Sequence, residues 1–198
     1  MSGLGVNAAP NVDLVESQST YFQNGIVPIA QNTLTGSVVS VTFDSISDKF
    51  RHLMLFTQTR TNRASNADRM LIRFNGDTGT NYDTVEGRFV SNNTRSSSGA
   101  INQTSGRIGF VAGNTSPADV YEAATTLIFG YKQTDRHKFA TTDYNYHSRS
   151  GIATDQMLFS SGALWNPVVI AAITSITLLP EFGTNFVSGS IFALYGIS

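Results

Sequence analysis

The sequence predicts an all-β protein, namely an antiparallel β-sandwich of the jelly-roll type with an extended N-terminal arm. Three observations lead to this prediction. Short segments rich in β-branched and aromatic residues recur along the chain, Gly and Asn lie between them, and only one short segment favours a helix. Chains with many short strands, frequent turns and almost no helix usually form sandwiches or barrels.

The start of the chain differs from the rest. It is rich in Asn, Gln, Gly and Ser and has neither helical periodicity nor strong strand alternation. We therefore predict an extended arm over residues 1–36 and a β-sandwich domain over residues 37–198. The apolar side chains of the arm are too sparse for a core of their own and are expected to dock on another surface. The candidate docking residues are Leu4, Val6, Val12, Leu14, Tyr21 and Phe22.

Ten strands are predicted in the domain from alternating or continuous apolar residues. Their ranges are 37–43, 50–60, 69–74, 82–90, 106–112, 124–132, 138–147, 156–165, 173–180 and 189–197. One or two helical turns are predicted over 116–124, where Ser116 can cap the helix and Pro117 suits its first turn. The side chains expected in the core are Leu53, Leu55, Ile72, Phe74, Ile128, Leu158, Ile176, Leu178, Phe192 and Leu194.

The composition argues against several classes of protein. The net charge is −1 and charged residues make up only 14% of the chain, so the basic surface of a nucleic-acid binder is missing. The longest apolar run, residues 168–173, is far too short to cross a bilayer, and no secretory signal is predicted. The chain has no Cys, which excludes disulfides and thiolate metal sites.

The segment RFNGDTGTNYDTV (73–85) contains the most distinctive pattern of polar residues. It fails the template of an EF-hand loop, although a calcium site formed by Asp77, Asn81 and Asp83 remains an alternative. Asn75-Gly76 is a strong signal for a two-residue hairpin turn, and we therefore interpret the segment as a hairpin. No metal and no cofactor are predicted.

Catalytic signatures are lacking. The sequence has no nucleophile elbow and no phosphate-binding loop, and its carboxylates do not single out a glycosidase pair. His137 and His147, with Asp135 and Asp143, suggest a metal site of two His and a carboxylate, but a solvated strand edge explains the same residues. His52 is expected to be a hydrogen-bonded core residue. We predict that the protein is not an enzyme.

Three aromatic residues are candidates for contact with a partner. Tyr144 and Tyr146 alternate on one face of a predicted strand, and Trp165 ends another. Exposed aromatic side chains can stack on sugars or anchor a protein interface, whereas the alternative is that they belong to the core.

Two parts of the sequence resemble a module that is common in tailed-bacteriophage virion proteins. The first is FRHLMLFTQTRTNRASNADRM (50–70) with LIRFNGDTGTNY (71–82), and the second is ITSITLLPEFGTNFVSGSIFALYGIS (173–198). The second part is similar to the closing pair of strands in that family. The resemblance covers residues from about 37 to 198, departs from the family over 116–139 and does not include the arm.

This resemblance implies a non-enzymatic structural protein of a phage particle, assembled in the bacterial cytoplasm. The main hypothesis is a capsid decoration, cement or turret protein whose arm docks on the major capsid protein or another virion protein. We expect a homo-oligomer, with a trimer favoured and a pentamer as the alternative. A second hypothesis is a tail-fibre or receptor-binding module that recognises host glycan, and a third is a polysaccharide-degrading enzyme. Neither nucleic acid nor a membrane is an expected partner.

Overall fold

The computed structural model describes residues 25–90, 95–147 and 156–198. This part of the chain contains no helix, and therefore none that could span a membrane. It forms twelve strands, which are β1 (Ile26–Thr33), β2 (Val41–Phe43), β3 (His52–Thr59), β4 (Ala67–Phe74), β5 (Tyr82–Val90), β6 (Arg95–Gln103), β7 (Gly106–Ala112), β8 (Glu122–Phe129), β9 (Lys138–His147), β10 (Gln156–Trp165), β11 (Ile176–Pro180) and β12 (Ile191–Ile197).

The strands form two antiparallel sheets that pack face to face. The large sheet has eight strands in the order β1-β12-β3-β8-β9-β10-β5-β6, and the small sheet has four in the order β2-β11-β4-β7. Eight strands remain when β1, β9, β10 and β12 are left out, and they can be renumbered one to eight in chain order. The small sheet then has the order 1-8-3-6 and the large sheet the order 2-7-4-5, which is the strand order of a jelly roll. The prediction of an antiparallel, jelly-roll-like sandwich is confirmed.

The core lies between the two sheets and is formed mainly by alternate residues of the strands other than β6. Nine of the ten predicted core residues are fully buried there. The prediction was wrong for Leu158, which is 56% exposed. In β10 the side chains that point into the core are those of Phe159, Ser161, Ala163 and Trp165. Because successive side chains of a strand point to opposite faces, Leu158 points away from the core.

Residues 26–33 belong to the sandwich and not to a separate arm. They form β1, which pairs with β12 from Ile26 opposite Ile197 to Thr33 opposite Ile191. The register shifts after Pro28, which has no N–H to donate and is tolerated on an edge strand. The predicted boundary after residue 36 is therefore too late. The candidate docking residues lie outside the described residues: Leu4, Val6, Val12, Leu14, Tyr21 and Phe22.

The predicted helical turns over 116–124 are replaced by a loop that leads into β8. The side chain of Arg60 is buried beneath this loop and holds it in place. Its guanidinium donates hydrogen bonds to four backbone carbonyls of the loop, those of Asn114, Ser116, Pro117 and Val120.

The segment RFNGDTGTNYDTV also differs from its prediction. Asn75 and Gly76 do form a turn with positive φ of 53° and 67°. However, β4 before the turn lies in the small sheet and β5 after it lies in the large sheet, so the two strands do not pair. The segment is a crossover between the sheets and not a hairpin.

Candidate functional site: the outer face of the large sheet

The candidate interaction site is the surface of the large sheet that points away from the core, which we term the outer face. Its side chains come from alternate positions of β12, β3, β8, β9, β10 and β5. Six large apolar side chains on this face are more than 40% exposed, namely Phe56, Val85, Phe89, Phe129, Phe139 and Leu158. Single exposed apolar residues are ordinary, whereas a contiguous group of them marks an interaction surface.

The register of the strands brings these side chains together. Leu158 lies opposite Phe89, and Phe139 lies opposite Phe129. Gly162 separates Phe139 from Val85, and a Cβ atom at this glycine would come within 2.8 Å of the Phe139 ring. The absence of a side chain at residue 162 thus lets the Phe139 ring lie across β10 towards β5.

A second aromatic group continues the apolar surface towards β12. The rings of Phe56 and Tyr195 meet edge to face with their centroids 5.6 Å apart. Met54 lies between Tyr195 and Leu127 in register. Apolar side chains therefore extend across the outer face from β12 to β5.

Charged residues are scarce on this surface. The described outward positions of the six strands include Asp83 and Asp143 but no Lys or Arg. Six strands about 4.8 Å apart and about seven residues long cover roughly 29 Å by 23 Å, which is on the order of 700 Å². A standard protein interface buries about 800 Å² on each partner, so the outer face has the size of one interface.

The crossover after β4 is held by hydrogen bonds in place of a metal. Asp77 Oδ2 accepts hydrogen bonds from Trp165 Nε1 at 2.7 Å and Asn81 Nδ2 at 2.9 Å, and its Oδ1 accepts from the Gly79 N–H at 2.7 Å. Asp83 points elsewhere and accepts a hydrogen bond from the Asn102 N–H. The alternative of a calcium site is not supported, because these three side chains do not converge on a common point.

The electrostatics of Asp77 follow from these contacts. Burial raises the pKa of Asp77, but the hydrogen bonds from Trp165, Asn81 and Gly79 together outweigh it, so that the pKa lies below its ordinary value. The carboxylate is therefore ionised at neutral pH and serves as a structural acceptor.

The aromatic residues predicted to contact a partner are mostly interior. Trp165 is 3% exposed and Tyr144 is 2% exposed, so both lie in the interior, as the alternative that they belong to the core expects. Both occupy inward positions of their strands, where an aromatic side chain fills the core. Tyr146 lies in β9, but its side chain is outside the described part of the structure.

The histidines do not form a metal site with the candidate carboxylates. His52 Nδ1 accepts a hydrogen bond from the Gly130 N–H at 3.0 Å, and its ring packs edge to face on Phe129. His137 lines a separate cleft beside Phe139. The side chain of His147 is not among those described, and the described residues contain no group of three or more His, Cys, Asp or Glu arranged to hold a metal.

Sequence reasoning did not single out the charged group on the inner side of the large sheet. Arg69 Nη2 lies 3.2 Å from Glu86 Oε2, and its Nη1 lies 3.6 Å from Glu181 Oε2. Arg107 forms a second ion pair with Glu181 at 2.6 Å. The sequence did contain a signal, because Glu86 is in phase with the inward residues Tyr82 and Thr84 of β5.

No protein-family model matches the chain, and comparison with curated proteins gives no match either.

Proposed function

We propose that the protein is a non-enzymatic structural protein of a bacteriophage particle, which assembles as a homo-oligomer and decorates or cements the capsid or forms a turret on it. The observation behind this proposal is the apolar outer face, which has the area of a standard interface and has no Lys or Arg at the described outward positions of β12, β3, β8, β9, β10 and β5. Arg95 of β6 borders this face, with its guanidinium 5.6 Å from the centre of the Phe89 ring. A sheet face of this kind is best covered by protein.

A second copy of the chain is the occupant that this face fits best. The surface contains few charges, so it offers little electrostatic selection for a differently charged partner. Soluble homo-oligomers adopt closed symmetry, and a ring of three subunits is the arrangement we favour. Burial of the exposed rings of Phe56, Phe129 and Phe139 would supply most of the association free energy.

The resemblance to phage virion proteins involves residues that determine the fold. Asn75 and Gly76 form the crossover turn between the sheets. β11 lies at the centre of the small sheet between β2 and β4, and β12 lies between β1 and β3. Jelly rolls occur in viral capsids and in lectins, so the fold supports the proposal without determining the function.

Sedimentation analysis tests the oligomer. We expect the wild-type chain to sediment as an oligomer at micromolar concentration. Leu158→Asp should be monomeric but still fold cooperatively, because its charge would be buried at the contact and is solvated in the monomer. A matched control is Val168→Asp, which changes a residue that is 97% exposed and lies outside the strands. A monomeric wild-type protein would contradict the proposed self-association.

Particle binding tests the role of the arm. Deletion of residues 1–24 leaves every described strand in place and is expected to preserve the melting temperature while abolishing cosedimentation with phage particles that lack the protein. Deletion of residues 1–36 also removes β1 and should lower the stability. Undiminished cosedimentation after the shorter deletion would contradict docking through the arm, and failure of the full chain to bind would contradict the role in the particle.

A further inference from the structure

A cleft of about 270 Å³ opens on the inner side of the large sheet, beside β7, the edge strand of the small sheet. It lies on the opposite side of the sheet from the outer face. The side chains that matter for its chemistry are Arg69, Glu86, Arg88, Ser96, Phe110 and Phe159.

Glu86 provides a buried carboxylate at this cleft. It is 5% exposed, and its Oε2 accepts a hydrogen bond from Ser98 Oγ at 3.2 Å and pairs with Arg69 Nη2 at 3.2 Å. Its second oxygen, Oε1, has no hydrogen-bond partner within the described chain. Buried polar atoms in proteins are nearly always paired, so this buried oxygen is a strong acceptor that still lacks a donor.

Two further hydroxyl groups near Glu86 also lack a hydrogen-bond partner within the described chain. Ser161 lies opposite Glu86 in register, and its Oγ makes no hydrogen bond to the residues that the structure describes. Tyr144 lies opposite Phe159, and its hydroxyl likewise makes no hydrogen bond to the described residues. Burial raises the pKa of Tyr144, and the neighbouring Glu86 raises it further, so that its hydroxyl stays protonated and able to donate.

The apolar part of the cleft is a packed group of aromatic rings. The rings of Tyr144 and Phe159 are stacked at 4.9 Å with an angle of 8° between them, and Phe110 lies 4.9 Å from Phe159. The Arg69 guanidinium lies over the Phe110 ring at 4.9 Å. Phe159 is buried behind Phe110, so the half-buried Phe110 is the ring that presents apolar surface next to charged donors and acceptors.

This combination selects a neutral ligand with many hydroxyl groups. A cation would be repelled by Arg69 and Arg88, and an anion that approached Glu86 would be repelled by its carboxylate. A hydroxyl group can donate to Glu86 while it accepts from an arginine. The apolar face of a sugar ring can pack on the accessible part of Phe110, and the volume is slightly below the roughly 300 Å³ at which drug-sized ligand pockets begin.

We propose that this cleft binds one neutral pyranose unit of a saccharide, with Glu86 as the acceptor for its hydroxyl groups and Phe110 as the apolar wall. The site is independent of the proposed role in a phage particle, because association through the outer face leaves the inner cleft open. Arg88 and Ser96 lie at the exposed rim and contribute additional polar contacts.

Saturation-transfer NMR with the methyl glycosides of glucose, galactose, mannose and N-acetylglucosamine tests the proposal on the full chain. We expect saturation transfer to at least one of the four glycosides, and a loss of affinity of at least tenfold in Glu86→Gln. This change preserves the shape of the side chain but removes the charged acceptor. The matched control is Asp143→Asn, which removes a carboxylate from the outer face and should leave binding unchanged.

A second variant keeps the test decisive if Glu86→Gln fails to fold. Arg88→Ala/Ser96→Ala changes only exposed side chains at the rim and should also weaken binding severalfold. The proposal would be overturned if none of the four glycosides showed saturation transfer, or if Asp143→Asn lost binding. It would also be overturned if Glu86→Gln bound as well as the wild type. If Glu86→Gln does not fold, undiminished binding by Arg88→Ala/Ser96→Ala would overturn it instead.

Discussion

The indole N–H of Trp165 donates a hydrogen bond to Asp77 Oδ2 over 2.7 Å and thereby ties the crossover after β4 to the end of β10. Because Trp165 is 3% exposed, its N–H has little access to water and depends on this carboxylate. The contact links the small sheet to the large one at the point where the chain passes between them.

Replacement of Asp77 by Ala is expected to lower the free energy of unfolding by about 1–3 kcal/mol, because a buried donor is left without an acceptor. Asp77→Asn is the control, since its side-chain oxygen can still accept from Trp165 and should preserve most of the stability. Urea denaturation at neutral pH measures both. Equal losses in the two variants would contradict the assignment to the Trp165 contact.

Acid should weaken the same contact. The folded-state pKa of Asp77 lies below that of the unfolded chain, so its contribution is complete above about pH 4, the ordinary range of an Asp, and is lost as the pH falls through the folded-state value. The difference in unfolding free energy between the wild type and Asp77→Asn should therefore narrow as the pH falls below about 4. If this free-energy difference widened as the pH fell, the pKa of Asp77 would be raised by folding and not lowered.

Calcium and chelators should leave the melting temperature unchanged. The Asp77 oxygens already accept three N–H donors, and the Asn81 amide points its NH₂ group at Asp77. A cation would have to displace these donors. A calcium-dependent rise of several degrees, measured by differential scanning calorimetry, would contradict this interpretation because a ligand of the native state stabilises it by mass action.

Truncation of the central strands should be costly. Ile176→Ala in β11 and Leu194→Ala in β12 each remove a fully buried side chain and should lower the unfolding free energy by about 2–5 kcal/mol. Leu158→Ala is the matched control at a position 56% exposed and should cost less than about 1 kcal/mol. Chemical denaturation measures the unfolding free energy of the three variants. A larger loss in Leu158→Ala than in the other two would show that the core is misassigned.

Arg60 should contribute more to the stability of the fold than the exposed Arg136. Arg60→Ala leaves several loop carbonyls without their donor and should cost at least about 2 kcal/mol, since hydrogen bonds to charged groups are among the stronger ones. Arg136→Ala removes an exposed pair with Asp135 and should change stability by less than about 0.5 kcal/mol. Faster hydrogen exchange over 113–120 in Arg60→Ala alone would identify the loop as the affected region.

Local sequence patterns predicted most strands but not their partners. β6, with the sequence RSSSGAINQ, was missed because it is an edge strand with nearly every side chain exposed, so it has no apolar alternation. β1 was missed because its partner β12 is distant in the sequence, and its short apolar run IVPIA, which contains Pro28, carries no trace of that pairing. The turn at Asn75-Gly76 was predicted, but the assignment of β4 and β5 to different sheets depends on tertiary packing.

The candidate site was less predictable than the fold. An aromatic residue in a strand has the same sequence signature whether it faces the core or the solvent, and Tyr144 and Trp165 face the core. The outer face arises from residues in four or more strands that are distant in sequence, such as Leu158 beside Phe89. Its contiguity depends on register, which a single sequence does not specify.

The placement of the last two strands has a consequence for synthesis of the protein. β11 fills the centre of the small sheet, and β12 separates β1 from β3, so the small sheet cannot close until β11 has left the ribosome and the large sheet cannot close until β12 has. Such long-range pairing slows folding and leaves β2, β3 and β4 with open edges on a chain that stops before β11. Translation products of that length should therefore aggregate or be degraded, and only chains that include β11 and β12 would enter an assembly.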